Sequence, residues 1–238
     1  MFELKNVKYL EILNIESLFI EDYKTTCIFG PSGSGKTTIL KLLAGLVSPD
    51  SGEILFDDEN LDNLDLTMLR RKVIMLGQEP CLFPGDLREN LNLGAYFQDR
   101  ENFKDEELIE VLEKVKLGEK NLDSNPEIFS QGEKQRLCLA RILLLKPEVL
   151  LLDEPSSALD ADIETMIMEL VKEYKGLHNM TVVLVTHSDK IAKLYSDKIA
   201  YIEAGKIASC VDLNCIKVDY EHEGSIENTE FSIGDKND

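Results

Sequence analysis

Tryptophan is absent from this sequence, histidine occurs only three times, and 26 basic residues face 45 acidic ones. The resulting net charge of −19 argues against a protein whose main task is gripping nucleic acid or an anionic lipid surface. No nucleic-acid partner is therefore expected. No window approaches ~18 consecutive apolar residues, so no segment is suited to span a membrane as a helix. The opening MFELKNVKYL has no basic region followed by an apolar run, and no secretory signal is read there. Work at a membrane must then pass through a partner. The five cysteines (Cys27, Cys81, Cys138, Cys210, Cys215) form no CxxC pair and no cluster with histidine. They read as buried, reduced thiols of a cytosolic protein.

What is present is a chain of 238 residues, 43% hydrophobic, long enough for a substantial core. Four short apolar runs recur: Thr25–Phe29, Lys72–Leu76, Glu148–Leu152 and Thr181–Val185. Runs of about five residues rich in β-branched types predict strands buried on both faces. Helical patterns lie between them, at Lys36–Leu46 and at Asp160–Tyr174. The latter has Ile163, Met166, Ile167, Leu170, Val171 and Tyr174 on one stripe. Strands alternating with helices predict crossovers and an α/β fold with a mainly parallel sheet.

Each predicted strand ends abruptly in polar chemistry. In open parallel sheets ligands bind beyond the carboxyl ends of the strands, so these four ends read as one site. After the first comes Gly30-Pro31-Ser32-Gly33-Ser34-Gly35-Lys36-Thr37, which matches G-x-x-x-x-G-K-[ST] in its required strand–loop–helix setting. Its backbone N–H groups are expected to cradle phosphates, Lys36 to reach the β- and γ-phosphates, and Thr37 to ligate Mg²⁺. Thr38 can add a phosphate contact. Asp153 closes the third strand where Mg²⁺ wants a carboxylate, and Glu154 follows in the position of a general base. After the second strand stands Gln78, a candidate for Mg²⁺ or for orienting water. After the fourth stands His187, expected to hydrogen-bond the γ-phosphate. The cofactors implied are ATP and Mg²⁺.

A second anion site is written in Phe129-Ser130-Gln131-Gly132-Glu133-Lys134-Gln135-Arg136, where Ser130 can cap a helix and its N-terminus can face a phosphate. The order GPSGSGKT, Gln78, FSQGE, VLLLDEP, SSALD and His187 resembles the nucleotide-binding subunit of ATP-binding-cassette (ABC) transporters, over about residues 1–210. The resemblance implies a P-loop NTPase with an N-terminal antiparallel β part and an inserted helical subdomain. It also implies that two copies, or two homologous subunits, pair head to tail. The signature residues Ser130, Gln131, Gly132 and Glu133 of one then face the ATP held by the other. Three positions differ from the commonest LSGGQ form: Phe129 for Leu, Gln131 for Gly and Glu133 for Gln. Phe129 is expected to be buried at the helix start. Asp160 matches the family's residue at the dimer seam and also fits the N-cap of the following helix. Tyr9 resembles the adenine-stacking aromatic, against an ordinary edge-strand tyrosine, and the segment from it to the next strand is short.

The expected organisation is one ATPase domain over 1–212, with core segments 1–79 and 146–212 and a helical subdomain at 80–145. A flexible tail is expected at 213–238, since residues 216–238 hold seven acids and two lysines. Asp86 and Glu89 read as a capping pair before a helix, and Leu108, Val111, Leu112 and Val115 mark another. The resemblance implies that this subdomain docks on a membrane permease, placing the chain at the inner face of the cell membrane. The stretch Gln78–Gly94 is similar to that of export-type, stand-alone ATPases linked to metal efflux. Alternatives are a soluble ABC ATPase of nucleic-acid or translation type and a P-loop small-molecule kinase. The first usually carries coiled-coil insertions, zinc modules or two cassettes, none of which is present. The second gives no reason for FSQGE or SSALD.

Overall fold

The computed structural model describes residues 1–155 and 161–213. Asp160 and the acidic tail beyond residue 213 lie outside the described residues.

The chain opens with an antiparallel hairpin, β1 (Phe2–Tyr9) and β2 (Leu13–Ile20), in which burial alternates along the strands as a half-covered sheet demands. Next come β3 (Thr25–Phe29), α1 (Lys36–Leu43), β4 (Ser51–Phe56), β5 (Glu59–Asn60), α2 (Leu66–Lys72) and β6 (Val73–Leu76). Three helices follow, α3 (Leu87–Phe97), α4 (Asp105–Lys114) and α5 (Gln131–Leu145). The chain then returns through β7 (Val149–Asp153), α6 (Ala161–His178), β8 (Thr181–Val185), α7 (Asp189–Tyr195), β9 (Lys198–Glu203) and β10 (Lys206–Asp212).

These strands make two sheets. One has four strands in the order β2-β1-β4-β5, and the other has six in the order β10-β9-β3-β8-β7-β6. Within the second, β9, β3, β8, β7 and β6 are parallel, and only β10 runs antiparallel. The α/β architecture expected from the sequence is therefore present. Lys72 closes α2 rather than opening a strand, because Asp65 caps that helix through the N–H of Thr67 at 2.7 Å. Helix α3 begins with the expected box, in which Asp86 and Glu89 bond each other's backbone N–H at 2.8 and 3.0 Å. Helix α5 ends on Lys146 in the left-handed conformation, with φ 50°, one residue before Pro147.

The hydrophobic interior divides along the large sheet. Leu150 and Leu152 of β7 and Val182 and Leu184 of β8 join α3–α6 in one cluster. Val149, Leu151, Val183 and Val185 join the antiparallel sheet and α1 in another. All eight are fully buried, and each such side chain stabilises by roughly 1.5–3 kcal/mol. The α6 stripe meets the first cluster as predicted, with Ile167, Leu170, Val171 and Tyr174 buried and Ile163 and Met166 packed at its edge. Cys27 and Cys138 are buried thiols as expected, whereas Cys81 and Cys210 are exposed.

Candidate active site

Because β3, β8, β7 and β6 are parallel and consecutive in the sheet, their carboxyl ends lie side by side. The segments that follow them, Gly30–Thr37, His187, Asp153–Glu154 and Gln78, are thereby gathered at one edge. That is the site the sequence predicts.

The phosphate loop needs its glycines for two separate reasons. A Cβ on Gly30 would lie 2.1 Å from the Ile202 carbonyl oxygen, a backbone contact that cannot yield. Gly35 holds φ 99° at the start of α1, in the left-handed region that side chains other than glycine avoid. Lys36 is buried, and its ammonium donates to the carbonyls of Gly30 and Pro31, both at 2.9 Å. Burial pushes its pKa down while the carboxylates of Glu154 and Asp153 oppose that shift, so the loop confines a cation facing two acids. Ser34 Oγ is buried with no hydrogen-bond partner among the described residues, a donor that suits a phosphate oxygen. Pro31, Ser32 and Gly33 form the exposed rim, and Thr38 follows in the first turn of α1.

Thr37 Oγ1 donates to Asp153 Oδ1 at 3.1 Å. Asp153 is 4% exposed, and burial pushes its carboxyl pKa up. A buried carboxylate beside a hydroxyl is a pair of hard oxygen donors, which is what Mg²⁺ takes in such sites. The residues therefore fit the metal the fold family implies. Gln78 is not within this pair, because its Nε2 donates instead to Glu154 Oε2 at 3.3 Å.

Glu154 is the junction of the site. Its backbone is left-handed, with φ 49°, and its N–H donates to the Val185 carbonyl at 3.0 Å. The side chain lies between Gln78 on one oxygen and His187 Nε2 on the other, at 2.8 Å. The sequence assigns His187 to the γ-phosphate, and here its imidazole orients Glu154. Two partners, one on each oxygen, fix the direction of this carboxylate.

Helix α5 begins with the Ser130 cap that the sequence predicts, closed as a reciprocal box with Glu133. Ser130 Oγ accepts from the Glu133 N–H at 3.3 Å, and the Glu133 carboxylate accepts from the Ser130 N–H at 2.8 Å. Two N-terminal donors are thus consumed within the chain, which leaves those of Gln131 and Gly132 for a ligand. Lys120 pairs with Glu133 at 2.6 Å, and with the Ser130 N–H it holds that carboxyl down at about 2. No sequence signal marked Lys120. Gln131 needs no positive φ, since both it and Gly132 are helical. Phe129 is buried as expected, with Lys120 Nζ 4.9 Å above its ring. Beside it Ile128 is 83% exposed, an apolar residue at the rim of the capped helix.

Tyr9 packs partly buried against the second core cluster. The aliphatic neighbours Leu10 and Ile12 are 62% and 41% exposed, and Ile12 Cγ2 stands 3.4 Å from where a Gly35 Cβ would lie. Sequence reasoning passed over both, because aliphatic residues in a turn carry no motif.

A phosphate cradle, a hard-oxygen metal pair and an oriented carboxylate at one sheet edge define a P-loop ATPase. The family model described as ABC transporter matches residues 13–157, and the chain belongs to the ABC transporter family as an ATP-binding subunit. It is 38% identical over 206 residues to the L-cystine import ATP-binding protein TcyC of Bacillus subtilis, covering 83% of each chain. It is 37% identical over 180 residues to ABC multidrug transporter E of Aspergillus fumigatus, covering 71% of this chain and 14% of that one. The dimeric, ADP- and phosphate-bound cassette MJ0796 superposes with a TM-score of 0.81 at 32% identity, covering 90% of this chain and 99% of that one.

Proposed function

We propose that this ATPase subunit drives a small molecule or metal through a separate membrane permease, as one half of a head-to-tail ATP-sandwich dimer. The observation that carries the permease reading is a cavity of about 460 Å³ directly beside the Gln78 loop. It opens between the β6 edge of the sheet and helices α3 and α5, its wall is largely apolar, and Arg70, Arg71 and Arg141 lie on it. Such a surface fits a short apolar segment carrying an acidic residue. Leu82 packs into the core, whereas Phe83 is 38% exposed and lines this cavity. No helix among the described residues is long and apolar enough to cross a membrane, so the spanning element is assigned to the partner.

Within the dimer, the free N–H groups of Gln131 and Gly132 serve the nucleotide of the opposite subunit. Each ATP then bridges two chains only while its γ-phosphate is attached, and hydrolysis releases the closed state. On this chain Glu154 takes the proton of the attacking water, while His187 and Gln78 hold its carboxylate in place. Lys36 and the loop N–H groups bind the phosphates. Thr37 and Asp153 would hold Mg²⁺, which would supply charge neutralisation to the bound phosphates.

The likeness of Gln78–Gly94 to export-type subunits supports export. The 38% identity to a cystine-import subunit favours import as the second reading. The deciding experiment is capture of the Glu154→Gln chain with MgATP in mild detergent, followed by mass spectrometry. A multi-span membrane protein at equal yield is expected, and its reconstitution in vesicles gives the direction. Recovery of nucleic acid or of soluble partners alone overturns the transport reading.

A further inference from the structure

The loop carrying Gln78 is tied to helix α5 along one stripe. Gln135 Nε2 donates to the Gly77 carbonyl at 3.0 Å. Cys138 Sγ and Arg141 Nη1 both donate to the Cys81 carbonyl, at 3.5 and 3.1 Å. Residues 135, 138 and 141 stand three apart, so they share a helix face. Cys138 is buried and Cys81 exposed, and both line the cavity beside the loop.

Cys138 Sγ lies 3.5 Å from the Cys81 carbonyl oxygen, so the two cysteines are direct neighbours. Residues 77–86 form neither helix nor strand. A disulfide between Cys81 and Cys138 needs a Cα separation of roughly 4.4–6.8 Å. Neither thiol has a part in the ATP chemistry described above.

We propose that Cys81 and Cys138 form a redox-sensitive pair, whose disulfide stops the ATPase cycle by joining the Gln78 loop covalently to the helix that begins at Ser130. The oxidant is a small disulfide of the glutathione type. The Cys81 thiolate attacks it, displaces one small thiol and forms a mixed disulfide. Cys138 loses its proton and attacks the Cys81 sulfur, releasing the second small thiol. Two protein thiols are oxidised and one small disulfide is reduced, so electrons balance. Burial raises the Cys138 thiol pKa and Arg141 opposes it, which makes the second exchange the slow one.

The consequence follows from what the two joined segments hold. Gln78 bonds the general base, and the start of α5 serves the opposite nucleotide. A cycle that opens and closes the dimer must let these two change their separation, and the disulfide forbids it. The inference rests on the ATPase activity and on the proposed head-to-tail dimer, and not on the permease.

The test uses the full chain with Cys210→Ser and Cys215→Ser, reduced and then incubated with oxidised glutathione. Peptide mapping is expected to find Cys81 joined to Cys138. The ATPase rate should fall about tenfold or more, since a blocked conformational step limits turnover, and dithiothreitol should restore it. The exposed Cys81→Ser variant should fold normally and keep its rate under the same oxidant. Glutathione that stays on Cys81 without forming the internal bond overturns the proposal. So does a bond that leaves the rate unchanged, or an equal loss in Cys81→Ser.

Discussion

Replacing Glu133 by alanine removes two interactions at the start of α5, the carboxylate bond to the Ser130 N–H at 2.8 Å and the Lys120 pair at 2.6 Å, while the Glu133 N–H still donates to Ser130 Oγ. Loss of one such hydrogen bond costs about 1 kcal/mol, and an exposed ion pair adds about 0.2–1 kcal/mol. At roughly 2–4 °C per kcal/mol for a chain of this size, the melting temperature should fall by about 2–8 °C. Glu133→Gln keeps an oxygen for the Ser130 N–H and loses only the charge, so its loss should be near the ion-pair figure alone. The two variants also differ from the parent in pH dependence. The Glu133 carboxyl is held at about 2 against an ordinary 4.5, first by Lys120 and then by the Ser130 N–H. A depressed carboxyl contributes its full stability above the unfolded value and loses it as pH falls through the folded one. The parent should therefore lose this contribution between 4.5 and about 2, and both variants should lack that component. Thermal scans of the three proteins across this window are the assay. If Glu133→Ala melts with the parent near neutrality, or keeps the same acid slope, the box does not hold the helix in solution.

Glu154→Gln should bind MgATP, lose about 10²–10⁴ in hydrolysis rate, and accumulate as a dimer by light scattering; a monomer at saturating MgATP contradicts the sandwich. Asp153→Asn should raise the melting temperature without Mg²⁺ and abolish Mg²⁺-dependent turnover. The reason is that burial already raises the Asp153 pKa, so its charge costs stability as pH rises through the carboxyl range. Differential scanning with and without Mg²⁺ checks both arms. Tyr9→Leu keeps apolar packing while deleting the ring. Its place on the second core predicts a lower melting temperature with unchanged ATP affinity, whereas adenine stacking predicts a loss of about 1–3 kcal/mol in nucleotide titrations.

The site was legible because each of its parts sits where a buried strand stops. TTCIF, VLLLD and TVVLV are apolar until their last residue or beyond, so the first polar residues after them had to lie at the sheet edge. The glycines of the phosphate loop were legible for the same local reason. Side-chain partners were not. Gln78 and His187 meet on Glu154 only because β6 and β8 flank β7, a fact of strand order that no local pattern holds. Lys120 reaches Glu133 across a loop whose path depends on how α4 packs on α5. Strands β9 and β10 carry no apolar-run signal in the sequence, because KIAYIE and KIASCVD mix polar residues into their runs.

Strand β7 has a consequence for how the molecule comes apart. Its residues alternate between the two hydrophobic clusters, so neither can lose its packing without stripping one face of the same five-residue strand. The helices inserted between β6 and β7 consequently have no separate melting transition available to them. Heating should give a single calorimetric peak for the described body, with the enthalpy from its area equal to that from its sharpness. A cassette built this way responds to damage anywhere in its interior as a unit, and the same shared wall lets it keep four chemical groups in register at one edge.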